Sequence, residues 1–231
     1  MPARPRRIID LSTPVRTGHF RWPVDRRLLK SHAAGDGSEG TWAGWNLHGF
    51  THMDAPRHVL PDGFTTDAIT PEMTIGEAAV LDLSDVPENS PIEEARIATA
   101  GAHLREGDIA ILKTRWDERR SLDTPEFWAD APWMTAEAAE WLHGRGIKAV
   151  GFDFPQDYPI RFFLTGAPRP PLEDYATHHR LLARGVIMFE YLCNTGALRA
   201  PRCLVVALPI RLSPGADGAP ARVIAIEEET E

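Results

Sequence analysis

The sequence is poor in cysteine, with Cys193 and Cys203 the two present in 231 residues. It opens with MPARPRRIIDL, which is basic but has no following apolar stretch of signal-peptide length. Both thiols are therefore expected to be reduced and packed, in a cytoplasmic protein. No apolar run is long enough to span a bilayer. Positive charge is also scarce: 25 Lys and Arg stand against 33 Asp and Glu, for a formal net charge of -8. That balance argues against a nucleic-acid or anionic-membrane surface and leaves a small molecule as the expected partner. The chain has no internal repeat, no glycine-rich nucleotide loop and no G-x-S-x-G elbow.

With 43% hydrophobic and 25% charged residues, the chain is long enough for one good core. A single mixed α and β domain is expected over residues 8–226, with flexible tails at 1–7 and 227–231. Seven tryptophans serve the core or an interface, and some suit the wall of a pocket for a flat aromatic substrate. The unusual stretch is 48–58, HGFTHMDAPRH, which holds three histidines and an aspartate. Neutral imidazoles with a carboxylate suit a borderline divalent ion such as zinc or manganese, and the lack of a thiolate here argues against a cysteine-type structural zinc site. On a straight strand rising ~3.3 Å per residue, His48 and His52 would lie too far apart to share one ion. On a helix Asp54 would point elsewhere. Gly49 and Pro56 interrupt regular structure, so a bent loop is expected on which His48, His52 and Asp54 converge. A solvated polar turn is the competing reading, and the density of ligand-type residues weighs against it.

Elsewhere the pattern predicts strands over 8–12, 42–47, 79–83, 108–114, 149–152 and 186–190, with two more in CLVVALPIRL and APARVIAI. The run TAEAAEWLHGRG reads as a helix capped by Thr135, with Glu137 in its first turn, His143 in its last, and Gly144 or Gly146 at its end. A second helix is expected over 175–184, capped by Asp174 and closed by Gly185. On it His178 and His179 diverge by ~100°, so both cannot readily serve one ion. Glu190 ends an apolar run, where an unpaired carboxylate is costly and calls for a nearby cation.

Residues 48–58 resemble the signature H-x-G-T-H-x-D-x-P-x-H of the cyclase family, which includes the bacterial kynurenine formamidases and isatin hydrolases. His48, Thr51, His52, Asp54, Pro56 and His58 fall in register, and Phe50 stands where the family usually has glycine. GFDFPQDY resembles the family's G-x-D-x-P-S-x-D: Gly151, Asp153 and Pro155 match, Gln156 replaces serine, Tyr158 replaces the last aspartate, and Asp157 sits one position early. The family's histidine precedes its glutamate by twelve positions, as His178 precedes Glu190, which selects His178 over His179. The opening IIDLS and the closing RVIA are similar as well.

The resemblance implies a swivelling β/β/α fold with a mixed sheet core, assembled as a homodimer or larger. It implies His48, His52 and Asp54 around one ion; Asp54, His178 and Glu190 would hold a second, ~4 Å away, if Asp54 bridges. Asp153 either marks a strand end and turn or orients a ligand without touching the ion. The segment HFRWPVDRR is either a surface loop or, through Phe20 and Trp22, part of the pocket wall. Phe50 and Gln156 complete the candidate substrate contacts. The expected activity is metal-dependent hydrolysis of a C–N bond in a small amide, aryl formamide or lactam, with His58 as general acid and base. A lactone hydrolase, a cyclase or lyase, and a non-catalytic binding module are the alternatives. His58 favours an enzyme, because a pure binding site needs ligands but no additional base.

Overall fold

The computed structural model describes residues 6–228, and residues 1–5 and 229–231 lie outside the described residues. In chain order the strands are β1 (Arg6–Asp10), β2 (Asp25–Lys30), β3 (Gly40–Gly44), β4 (His52–Asp54), β5 (Ile75–Asp82) and β6 (Pro91–Ile92). There follow β7 (Ile109–Lys113), β8 (Trp133–Met134), β9 (Ala149–Phe152), β10 (Ile187–Glu190), β11 (Arg202–Pro209) and β12 (Gly218–Glu228). Eight of them form one sheet in the order β1-β12-β11-β5-β7-β9-β10-β4. Because β4 pairs again with β12, seven strands close into a barrel and β1 is added on the outside of β12. The expected mixed α/β class is present, with the sheet closed on itself.

Strands β5, β7, β9 and β10 run parallel, and their sequences are apolar without alternation because both faces are covered. Val80, Ile109, Ile111, Ala149 and Phe189 join one core, together with Met53, Val205 and Val223. Their neighbours Leu81, Ala110, Leu112, Val150 and Met188 join a second core, shared with buried residues of the helices. Parallel neighbours require crossovers. These contain α1 (Glu94–Ala100), α2 (Ala136–Gly144) and α3 (Ala176–Arg180). The Thr135 hydroxyl accepts from the Ala138 N–H at 3.2 Å to cap α2, as its sequence indicates, and Gly146 at φ +69° follows its end.

Four expectations are corrected. The helix expected over 175–184 is α3 followed by a 3-10 turn at Leu182–Arg184, and Asp174 does not cap it. The strand expected over 42–47 is instead β3, paired with β2 in a hairpin. Every residue of β2 is exposed, so DRRLLK carries no half-buried alternation to reveal it. Stretch 48–58 is not one bent loop but a turn, the short strand β4 and a 3-10 helix at Pro56–His58. Finally, both presumed tails contain paired strand: Arg6 and Arg7 lie opposite Glu228 and Glu227. Glu227 is buried, 2.9 Å from Arg7 Nη1, and accepts from the Arg199 and Ala200 N–H groups at 2.8 and 2.9 Å. Strand alternation turns this member of an acidic run inward.

Candidate metal centre and cavity

Strand β4 lies between β10 and β12, and its register decides which side chains meet. His52 is opposite Glu190, and Asp54 is opposite Met188 on one side and Gly218 on the other. Being two residues apart, His52 and Asp54 share one face while Met53 enters the core behind them. His48 arrives through the preceding turn, where its N–H donates to Asn46 Oδ1 at 2.8 Å. Thr51 ties that turn down: its hydroxyl donates to the Tyr191 carbonyl at 2.7 Å and accepts from the Thr13 N–H at 2.8 Å.

Phe50 sits at φ +61°, a left-handed conformation that favours the glycine usual at this place in the resemblance. For a residue with a Cβ this costs roughly 1–2 kcal/mol. The ring is fully buried, 5.3 Å from the rings of Trp22 and His19, and burial of such a side chain offsets the strain by roughly 1.5–3 kcal/mol. Phe50 is therefore a core residue, outside the lining of the cavity described below. Its carbonyl does contribute to the centre, accepting from His52 Nδ1–H at 2.9 Å.

That hydrogen bond leaves the lone pair of His52 on Nε2, which is buried and makes no hydrogen bond among the described residues. Yet Nε2 lies 3.2 Å from Asp54 Oδ1 and 3.7 Å from Glu190 Oε2. His178 repeats the arrangement: Nδ1–H donates to Asp157 Oδ2 at 2.6 Å, so Nε2 faces Glu190 Oε1 at 3.5 Å and Asp54 Oδ2 at 3.7 Å. Asp54 Oδ2 is likewise buried without a hydrogen-bond partner among the described residues. Acceptors converging on acceptors repel unless positive charge lies among them, and imidazole with carboxylate donors fits a divalent cation. The potential ligand atoms fall into two groups that share Asp54, namely His52, Asp54 and Glu190, and His48, Asp54 and His58.

The protonation states report the same crowding of negative charge. Burial alone would lower His48, but the carboxylates of Asp54 (2.7 Å) and Asp217 (2.9 Å) outweigh it and raise the pKa to about 9. His178 also rises to about 9, because Asp157, Glu190 and Asp54 outweigh its burial. Burial would raise the Asp54 carboxyl, yet the imidazoles of His52 and His48 hold it well below the usual carboxylate range. His58 differs: burial and the nearby His48 and His178 lower its pKa, while Asp54 and Glu190 oppose this.

A cavity of about 850 Å³ opens onto this cluster and is lined by His48, Asp54, His58, His178 and Glu190 together with Trp22, Tyr191, Phe162 and Phe163. Trp22 thus lies on the wall, as one of the two readings of its segment has it. Phe20 does not line the cavity; it is exposed, with its ring 6.2 Å from Phe163 and 5.3 Å from Trp128. Gln156 is fully buried, lies outside the cavity lining, and donates from Nε2 to Glu190 Oε1. Among the described residues, Asp153 makes its hydrogen bonds to groups other than the candidate ligands. It accepts from the N–H groups of Thr114 and Arg115 at 3.0 and 2.8 Å and from the Thr114 and Thr195 hydroxyls, bracing a turn in which Arg115 has φ +56°. Burial pushes its pKa up to about 6.

The residue that orients His178 is Asp157. It binds Nδ1 and also accepts from the Thr177 N–H at 2.7 Å and the His178 N–H at 3.3 Å, supplying the α3 contacts expected of Asp174. The signal was an aspartate in GFDFPQDY, one place from the expected register. Asp217 was missed altogether: Oδ2 lies 2.9 Å from His48 Nε2 and 3.4 Å from His58 Nδ1. Its sequence mark is slight, one acidic residue in the Gly/Pro-rich turn before β12. His178 faces the cluster, whereas His179 Nδ1, elsewhere on α3, is buried without a hydrogen-bond partner among the described residues.

Comparison with known proteins gives concordant matches. A family model described as "Putative cyclase" matches residues 9–156. A kynurenine formamidase of Bacillus cereus is 25% identical over 221 residues, covering 94% of this chain and 95% of the relative. Isatin hydrolase A of Labrenzia aggregata shares the fold, with a TM-score of 0.78 at 23% identity, over 97% of this chain and 94% of that one. A structure described as a "predicted metal-dependent hydrolase" from Bacillus stearothermophilus aligns with a TM-score of 0.68 and 25% identity, over 96% of this chain and 98% of that one.

Proposed function

The chain belongs to the cyclase family, and from that premise we propose that it is a metal-dependent hydrolase of a non-peptide C–N bond in an aryl formamide or lactam. The kynurenine formamidase and isatin hydrolase relatives support the bond type. The observation that carries the reading is the convergence of His52 Nε2, His178 Nε2, Asp54 and Glu190 beside an aromatic-walled cavity, with His52 Nε2 and Asp54 Oδ2 buried and without a hydrogen-bond partner among the described residues. His48, His52, Asp54, His178 and Glu190 would hold zinc or manganese, as one ion or two. When bound, such an ion supplies polarisation of a carbonyl oxygen and acidification of water.

The remaining work falls to the chain's own groups. His58 lines the cavity and has a lowered pKa, so it is neutral near pH 7 and able to take a proton from the attacking water. Returning that proton to the leaving nitrogen completes the C–N cleavage. Asp217, 3.4 Å from Nδ1, orients the ring. Trp22, Tyr191 and Phe163 give a flat acyl or aryl group an apolar wall and exclude water from it.

A second role for His58 has its own support, since it lies at ligand spacing with His48 and Asp54. Elemental mass spectrometry and formanilide hydrolysis of His58→Ala separate the two. As general base, its loss leaves metal content near wild type and lowers activity by roughly 10²-fold or more. Loss of metal makes it a ligand, and a wild type without bound zinc or manganese refutes the hydrolase reading. A cytoplasmic homodimer completes the reading. It is supported by the hairpin β2–β3, on which Leu28, Leu29 and Trp42 are exposed. Among the described residues, no helix is long and apolar enough to cross a membrane.

A further inference from the structure

In a chain of net charge -8, arginines commonly meet carboxylates: Arg7 with Glu227, Arg120 with Glu88 and Asp130, Arg202 with Asp108, Arg222 with Asp10. Arg21 is different. It lines the same cavity as the ligand cluster, and its Nη1 is buried without a hydrogen-bond partner among the described residues. Its guanidinium is held instead by rings, at 3.8 Å from the centroid of Phe163, 5.2 Å from Trp128 and 5.5 Å from Trp22.

The backbone around it is fastened by a buried histidine. His19 Nε2–H donates to the Leu122 carbonyl at 2.9 Å, and Nδ1 accepts from the N–H groups of Arg21 and Trp22 at 3.2 and 3.1 Å. A guanidinium seated on aromatic faces keeps its edge donors free for an in-plane acceptor, and its fork matches a carboxylate. A buried N–H of a charged group without a partner is costly, so the arrangement suits a group that arrives with a ligand.

The lining of the cavity also carries charge of both signs. Trp22 lies 4.9 Å from Tyr191, and Tyr191 5.6 Å from His52, so an aromatic wall separates Arg21 from the ligand cluster. Arg169 lines the cavity as well, while Asp54, Glu190 and Asp217 supply its negative side. A molecule with its anion toward Arg21 and its amide toward the acidic cluster lies along this gradient.

We propose that Arg21 recognises a carboxylate on the substrate, making this cavity selective for aryl amides that carry one. The proposal rests on the amide-hydrolase reading of the same site. Its test compares 2-, 3- and 4-carboxyformanilide with formanilide in metal-replete wild type, Arg21→Met and Arg21→Lys, with benzoate binding by calorimetry as a readout independent of turnover. Wild type is expected to prefer at least one carboxylated isomer in kcat/KM. In Arg21→Met that preference ratio and the benzoate affinity each fall by ~10–100-fold, with a smaller fall in Arg21→Lys. A ratio and a benzoate affinity unaltered in Arg21→Met overturn the assignment. Should wild type hydrolyse none of these amides, the hydrolase reading fails, and the benzoate titration still decides whether Arg21 holds a carboxylate.

Discussion

Replacing Asp157 by asparagine keeps the side chain's shape, removes its charge, and acts on the candidate metal centre only through His178. In the native protein Asp157 Oδ2 holds His178 Nδ1–H at 2.6 Å, while Oδ1 accepts from the Thr177 N–H at 2.7 Å. An amide has one acceptor oxygen, so the side chain in Asp157→Asn can keep one of these duties but not both. Loss of a group that orients a metal-ligating histidine costs about 10–100-fold in metal affinity. A second effect has the opposite sign. With the His178 pKa raised to about 9, a proton competes for its ligating nitrogen below that pH. At pH 7 this weakens apparent affinity by about two orders of magnitude. Removing the Asp157 carboxylate lowers that pKa and so relieves part of the competition. The two effects offset one another near pH 7, and the loss stands alone above about pH 9, where His178 is already deprotonated. Zinc dissociation constants measured by chelator competition at pH 7, 8 and about 9.5 should show the wild-type advantage growing with pH, toward 10–100-fold. Equal affinities at the highest pH, or an advantage that shrinks as pH rises, would refute the assignment of Asp157 to His178.

Asp153→Ala strands the buried Thr114 N–H and the partly buried Arg115 N–H. At roughly 1–3 kcal/mol each, it should lower the melting temperature by roughly 5–15 °C. Metal content should stay at the wild-type level; metal loss with an unchanged melting temperature would return Asp153 to a role beside the ions. The hairpin β2–β3 is expected to support self-association, so light scattering should give twice the chain mass for wild type and the single mass for a variant carrying Leu28→Asp and Leu29→Asp. A wild-type monomer would remove the hairpin from the interface.

The candidate ligands were legible in the sequence because metal chemistry admits few donor types. Three histidines and an aspartate within 48–58, together with a glutamate closing an apolar run, are hard to place otherwise. The parallel strands were legible because burial on both faces leaves apolar runs such as IAIL and AVGF, and α2 because its cap and its closing glycine are local. His178 could be separated from His179 only through the family resemblance, since a helical wheel says that they diverge and not which way the cluster lies. The roles of the supporting residues were decided in three dimensions. Asp217 reaches His48 across 169 residues, and closure of β4 onto β12 brings the two together. Asp157 braces His178 while Asp153, four residues earlier, braces a turn around Arg115. Phe50 and Gln156 carry the chemistry of a pocket wall and sit behind it, one in the aromatic core and the other on Glu190. Local sequence determines which groups can bear charge or fill space, because that depends on each side chain and its near neighbours. Which of them meet depends on the register of strands far apart in the chain, and that is settled only when the barrel closes.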